Sequence, residues 1–269
     1  MIEENSSAAV DVCNLTHWYN ATPAVDDISF KIVPGTTFGL IGPNGAGKST
    51  TIKMLTTLLP VTSGTASVNG HSVTKEPSAV RQSIGYVPQL VSTDGDLTAY
   101  ENLLFSAKLY GLPKKERENR IHEVLNFMDL GTVANQLTNT FSGGLIRRLE
   151  VAQALIHQPR VLFLDEPTVG LDPAARKALW NYIEDLKKRL GMTILMTTHD
   201  MDEADTLCDV VALMNLGRIV VMDTPRNLKA ALGPEATLND VFILHTGNSL
   251  NESGGYHNVK QIRTTISHL

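Results

Sequence analysis

Gly42-Pro43-Asn44-Gly45-Ala46-Gly47-Lys48-Ser49, followed by Thr50, fits the pattern G-x-x-x-x-G-K-[ST]. An apolar run, Thr37-Phe38-Gly39-Leu40-Ile41, comes before it, and helical apolar spacing at Ile52, Leu55, Leu58 and Leu59 comes after. A strand, a glycine-rich loop and a helix over residues 50–59 are therefore expected in that order. The glycines let successive backbone N–H groups turn inward around a phosphate, where a Cβ would block them. The helix N-terminus adds partial positive charge at the same point. Lys48 is expected to reach the β- and γ-phosphates, and the Ser49 hydroxyl to coordinate Mg2+.

A phosphate loop alone says only that a nucleotide binds. Val161-Leu162-Phe163-Leu164-Asp165-Glu166 reads as an apolar strand ending in two carboxylates. In an open parallel sheet the ligand lies beyond the carboxyl ends of the strands, so both acids should face the phosphate loop. Asp165 suits the magnesium sphere, and Glu166 suits polarising the water that attacks the γ-phosphate. A further strand, Ile194 to Thr198, ends at His199. That ring could sense the γ-phosphate, and read alone it serves equally well as a packed or solvent-facing histidine.

Outward from these motifs, Val12 to Tyr19 and Ile28 to Val33 read as strands. Ala66 to Val73 reads as a hairpin turning at Asn69-Gly70. From Leu97 to about Ala154 the spacing is helical, with the charge run Lys114 to Glu118 as a solvated face. Leu179, Ile183, Leu186 and Leu190 form one helical stripe. Val210 to Met214 and Ile219 to Val221 are strands about a turn at Gly217. Apolar strands alternating with helices predict a parallel sheet covered on both faces. The polar segment from Gly247 onward predicts loose order.

The 269 residues are 42% hydrophobic and 19% charged, which excludes collagenous, disordered and coiled-coil classes. A net charge of -5 argues against holding nucleic acid by bulk positive charge. Cys13 and Cys208 lie outside metal-ligand spacing and are expected to be small buried residues in a reducing compartment. No run reaches the roughly 18 apolar residues of a membrane helix. The acidic N-terminus also lacks a secretory pattern, so a soluble, intracellular chain is expected.

Taken in order, these residues resemble the nucleotide-binding subunit of an ATP-binding-cassette transporter over roughly residues 10–225. Phe141-Ser142-Gly143-Gly144-Leu145 is similar to that family's signature sequence, with Ser142 placed to cap the helix that follows. The resemblance implies an α/β P-loop NTPase core with a mostly parallel sheet, an N-terminal antiparallel β subdomain and an inserted helical subdomain. It implies an ATPase domain over residues 8–232, the helical part at about 92–158, and a partly flexible extension over 233–269. It also implies that Tyr19 stacks on adenine, a role that Trp18 could take instead. Gln89 would touch magnesium, Gly170-Leu171-Asp172 would meet a paired subunit, and His199 would act as a switch. Ser142, Gly143 and Gly144 would contact ATP across that pair. ATP and Mg2+ are the implied cofactors. The implied partners are a membrane permease and a second cassette, identical or homologous, on the inner face of the cell membrane.

Three positions depart from the family pattern: Leu145 for a common Gln, Gln153 for a common Arg, and Val169 for a common Ser. Arg147-Arg148 and the segment Thr237 to Phe242 resemble export-type, daunorubicin-resistance-like members. Two rival readings are a repair or ribosomal ATPase and an inert regulatory cassette. The stretch from Lys48 to Asp165 carries no sustained heptads and the chain has one cassette, which disfavours the first. Intact Lys48, Asp165, Glu166 and His199 disfavour the second.

Overall fold

In the computed structural model, which describes residues 8–247, β1 (Val10–Tyr19) and β2 (Thr22–Ile32) pair antiparallel, and β3 (Thr37–Ile41) leads into α1 (Lys48–Leu55). The hairpin β4 (Ser63–Val68) and β5 (His71–Ser72) turns at Asn69 and Gly70, both at positive φ, as expected for that dipeptide. Then α2 (Pro77–Ser83) and β6 (Ile84–Val87) precede three helices, α3 (Ala99–Leu109), α4 (Lys114–Phe127) and α5 (Gly143–Leu155). Strands and helices alternate through β7 (Val161–Asp165), α6 (Pro173–Leu190), β8 (Thr193–Thr198), α7 (Met201–Leu207), β9 (Val210–Asn215) and β10 (Arg218–Asp223). Finally come α8 (Pro225–Ala230) and α9 (Leu238–Thr246).

The strands form two sheets, an antiparallel β2-β1-β4-β5 and a larger β10-β9-β3-β8-β7-β6 in which only β10 runs antiparallel. Side chains on the larger sheet alternate between two cores, as the period of two requires. Leu162, Leu164, Ile194, Met196, Val211 and Leu213 face the core that holds the buried residues of α3 to α7. Val161, Phe163, Leu195, Ala212 and Met214 face the core shared with α1 and the antiparallel sheet. Burial on both faces is why these strands read as unbroken apolar runs. Each fully buried side chain such as Phe163 adds about 1.5–3 kcal/mol.

Several expectations change. The first helix stops at Leu55 rather than Leu59, because Thr57 takes a left-handed backbone (φ 63) and leaves Leu58 exposed. The helical stretch from Leu97 breaks into three pieces, at Gly111–Pro113 and across residues 128–142. Leu190 lies outside the stripe: Leu179, Ile183 and Leu186 are buried, and Leu190 is exposed one residue before the left-handed Gly191 cap. Cys208 is buried as expected, but Cys13 is exposed, since its alternate position on β1 points away from the core. Helices α2 and α7 are too short for a periodic signal and were not expected. Of the extension from 233, α9 is described and buries Leu238, Val241 and Phe242, whereas the loosely ordered tail expected beyond Gly247 lies outside the described residues.

Candidate functional site

Strands β3, β8, β7 and β6 lie side by side in parallel, so their carboxyl ends share one edge of the sheet. The phosphate loop leaves β3, His199 leaves β8, Asp165-Glu166 leaves β7 and Pro88-Gln89 leaves β6. Four motifs scattered over the sequence thus converge. The loop needs its glycines for space: a Cβ on Gly42 would sit 2.1 Å from the Met214 carbonyl, and one on Gly47 (φ 105) 2.4 Å from the Ala24 carbonyl. A cleft of about 400 Å3 opens here, lined by residues 44–50 with Ala24, Gln89 and Glu166.

Lys48 and Glu166 are each only 4% exposed. The ammonium donates to the carbonyls of Gly42 (2.8 Å) and Pro43 (3.1 Å) and lies 3.2 Å from Glu166 Oε1. The other carboxylate oxygen accepts from Gln89 Nε2 (3.3 Å) and faces His199 Nδ1 at 3.3 Å. Removing two charges from water is costly unless each is paired and hydrogen-bonded, and here each is. Glu166 also holds a left-handed backbone (φ 48), a cost sustained where surrounding contacts fix it. Its N–H donates to Thr197 Oγ1 (2.9 Å) and to the Thr197 carbonyl (3.2 Å).

Asp165 Oδ1 accepts from Ser49 Oγ (2.9 Å) and from Thr197 Oγ1 (2.6 Å). The nearby Tyr86 phenol is pushed up to about 12 by burial, with the Asp165 charge adding to the effect, so it stays a neutral hydroxyl. Thr197 therefore braces both acids at once, and the sequence reading missed it. The available signal was a threonine pair interrupting an apolar strand just before His199.

The structure leaves other expected residues apart from this cleft. Ser142 caps α5, accepting from the Leu145 N–H at 3.4 Å. Its turn packs against the start of α6, where a Cβ on Gly144 would meet Ala175 at 2.8 Å and one on Gly143 would touch Leu171 at 3.5 Å. The Ser142–Gly144 turn and the Gly170–Asp172 loop are thus neighbours. Tyr19 is 48% exposed, with its ring edge-on to His17 (4.6 Å between centroids), and neither it nor Trp18 lines the cleft. Gln153 Nε2 donates to Ser106 Oγ at 3.1 Å, so it ties α5 to α3. Leu145 packs on the helical core, and Val169 is exposed.

The donor set tests whether a magnesium ion fits. A hydroxyl (Ser49), a carboxylate (Asp165) and an amide oxygen (Gln89) are hard oxygen donors, as that ion requires. Among the described residues no group of three or more His, Cys, Asp or Glu could hold a metal by itself. The fit is to an ion shared with phosphates rather than one in an all-protein cage.

Residues 25–169 match the family described as ABC transporter. The daunorubicin/doxorubicin resistance ATP-binding protein of Streptomyces peucetius is 43% identical over 225 residues, which cover 84% of this chain and 68% of that one. The solved ATP-binding subunit of an ABC transporter superposes with a TM-score of 0.78 at 30% identity, covering 88% of this chain and 99% of that one. A dimeric ATP-binding cassette in a post-hydrolysis state, bound to ADP and Pi, does so with 0.73 at 25%, covering 80% and 98%. The chain belongs to the ABC transporter family. Within it the chain is an ATP-hydrolysing subunit of the export type, and the repair, ribosomal and regulatory readings fall away.

Proposed function

We propose that this chain is the motor of an exporter, in which two cassettes enclose Mg-ATP between them and drive a separate membrane permease. The observation that carries the reading is Glu166, a buried carboxylate shared among Lys48, Gln89 and His199 where it lines the cleft of the phosphate loop. An arriving γ-phosphate competes for Lys48, which releases one oxygen of Glu166. That oxygen accepts a proton from water as the water oxygen bonds to the γ-phosphorus, while the bond from γ-phosphorus to the bridging oxygen breaks and ADP leaves. Lys48 and the loop amides hold charge on the phosphates, and His199 turns from Glu166 to the γ-phosphate. Ser49, Asp165 and Gln89 would hold Mg2+, which would neutralise charge on the phosphate oxygens.

The α5 N-terminus supports a shared site. One loop already surrounds a nucleotide, and the Ser142–Gly144 turn lies outside that cleft, so a twofold pair lets each turn reach the other chain's γ-phosphate. No helix among the described residues is long and apolar enough to cross a membrane. A docking face is available instead. Phe105 and Leu109 on α3, with Leu90 and Val91 beside Gln89, are large exposed hydrophobics, and Asn102 hydrogen-bonds α3 to Asp94 in the latter segment. A permease seated there would hold the cassette on the inner face of the cell membrane.

Light scattering on the Glu166→Gln chain tests the pair. Mg-ATP should convert monomer to dimer, and adding Ser142→Arg should leave ATP bound but the chain monomeric. Equal dimerisation by the Arg variant overturns the shared site.

A further inference from the structure

Behind the Gln89 segment lies an ion pair that no step above uses. Arg147 and Glu150, one turn apart on α5, are both buried, with Arg147 Nη1 3.0 Å from Glu150 Oε2. The guanidinium fork also donates to the carbonyls of Pro88 (2.7 Å, from Nη1) and Gln89 (3.1 Å, from Nη2). Glu150 Oε1 accepts from the Ser92 N–H (2.6 Å) and hydroxyl (3.0 Å). Residues 88–92 are therefore gripped at both ends by a single helix face. A buried pair is seldom worth more to stability than apolar residues of like volume. What the charges add here is geometry, because a planar fork fixes two carbonyls at once.

That geometry joins two places. Ser142 and Gly143 are exposed at the start of α5, and Arg147 is buried further along the same helix. Gln89, held through its carbonyl, extends its side chain to Glu166. We propose that Arg147 and Glu150 are positioning residues that lock the Gln89 segment to α5, so that a partner's nucleotide docking at Ser142 sets Gln89 against Glu166 and couples the two ATP sites. This rests on the shared-site reading above. Nucleotide engagement displaces α5 as a body, the grip carries residues 88–92 with it, and each site thereby registers that the other is filled.

The test uses the full chain with two changes: Arg147→Lys, which keeps the charge without the fork, and the double variant Arg147→Met/Glu150→Gln, which removes grip and charge together. Mg-ATP affinity is read by titration, and turnover by steady-state phosphate release against ATP concentration. Both variants should keep affinity within about twofold and lose about 10- to 100-fold in kcat, the size expected for a misplaced group. The Hill coefficient should fall from near 2 in the parent to about 1. In a Glu166→Gln background both should still dimerise with Mg-ATP. Circular dichroism and melting identify a misfolded variant, and Arg147→Lys keeps the test open if the double variant is one. Parental kcat and cooperativity in a folded variant overturn the proposal. So does a loss of affinity equal to the loss of kcat, or a parent Hill coefficient of 1. If Glu166→Gln alone stays monomeric with Mg-ATP, the shared site itself has failed, an outcome distinct from a dimer in which the grip does not matter.

Discussion

Helices α1 and α5 both begin at glycine-rich turns, and they finish those turns differently. At α1 the N-cap is Gly47 in a left-handed conformation, and no side chain caps the first turn. At α5 the N-cap is Ser142 in an extended conformation, and its hydroxyl accepts from Leu145 at a long 3.4 Å. An uncapped turn leaves its backbone donors for an anion, so a ligand there need not displace a capping side chain. A capped turn has already used part of its donor set, and a ligand gains only the difference. On the shared-site proposal, the first turn would hold ATP within a single chain and the second would engage it weakly enough to let go. The proposed motor, which opens after every turnover, would need that inequality.

The comparison breaks most visibly at Glu166. Glu166→Gln should bind Mg-ATP as the parent does and lose about two to four decades of phosphate release, the range of a positioned base. Retention of half the parental turnover would remove Glu166 from its role. Next in size is Lys48→Ala, which should weaken Mg-ATP binding by about 10- to 100-fold, the worth of charge-assisted hydrogen bonds at about 1.5–3 kcal/mol. Ser142→Arg should leave that affinity alone, so a titration in which both variants lose affinity equally erases the distinction between the two helix ends.

Tyr19→Ala should cost about 1–3 kcal/mol of nucleotide binding, Tyr19→Phe nothing measurable, and GTP should bind less well than ATP. A loss in Trp18→Ala with none in Tyr19→Ala moves the stack to the neighbour. The smallest effect lies at the far end of α5. The His157 ring stacks on Tyr110 (3.6 Å), and burial lowers its pKa from 6.5 to about 4. Nε2 donates to the Ile84 carbonyl (2.9 Å), so a second proton must enter at the buried Nδ1. The folded chain then binds fewer protons than the unfolded one between those values. Stability is complete above about pH 6.5 and declines as pH falls toward 4, by about 1–2 kcal/mol at pH 5. Melting curves of His157→Gln should be flatter over that window.

Local signals carried most of the architecture. The loop from Gly42 to Ser49, the Asn69-Gly70 hairpin and the apolar runs of β7, β8 and β9 are dictated by neighbours in sequence, and each lies where its pattern places it. Lys48, Asp165, Glu166 and His199 were legible because each lies at or beyond the end of a strand, and parallel strands end on one edge, whereas Gln89 read alone is a loop glutamine that only the family resemblance singled out. Thr197 and the Arg147–Glu150 grip were not, since their roles depend on contacts across 31 to 59 positions that no local period encodes. Helix α1 fell short of its apolar stripe because one left-handed threonine outweighs two leucines.

The two cysteines divide more sharply than their small number suggests. Cys208 lies beneath β3, where a side chain on Gly39 would come within 2.6 Å of its sulfur, and burial drives its thiol pKa far upward. Cys13 is open to solvent on the antiparallel sheet. Reactivity follows the thiolate and its access, so a maleimide added at neutral pH should modify one position and spare the other. The unmutated chain thus comes with a built-in attachment point for a fluorophore or spin label. In the proposed pair, two such labels would turn opening and closing into a distance that can be read in real time.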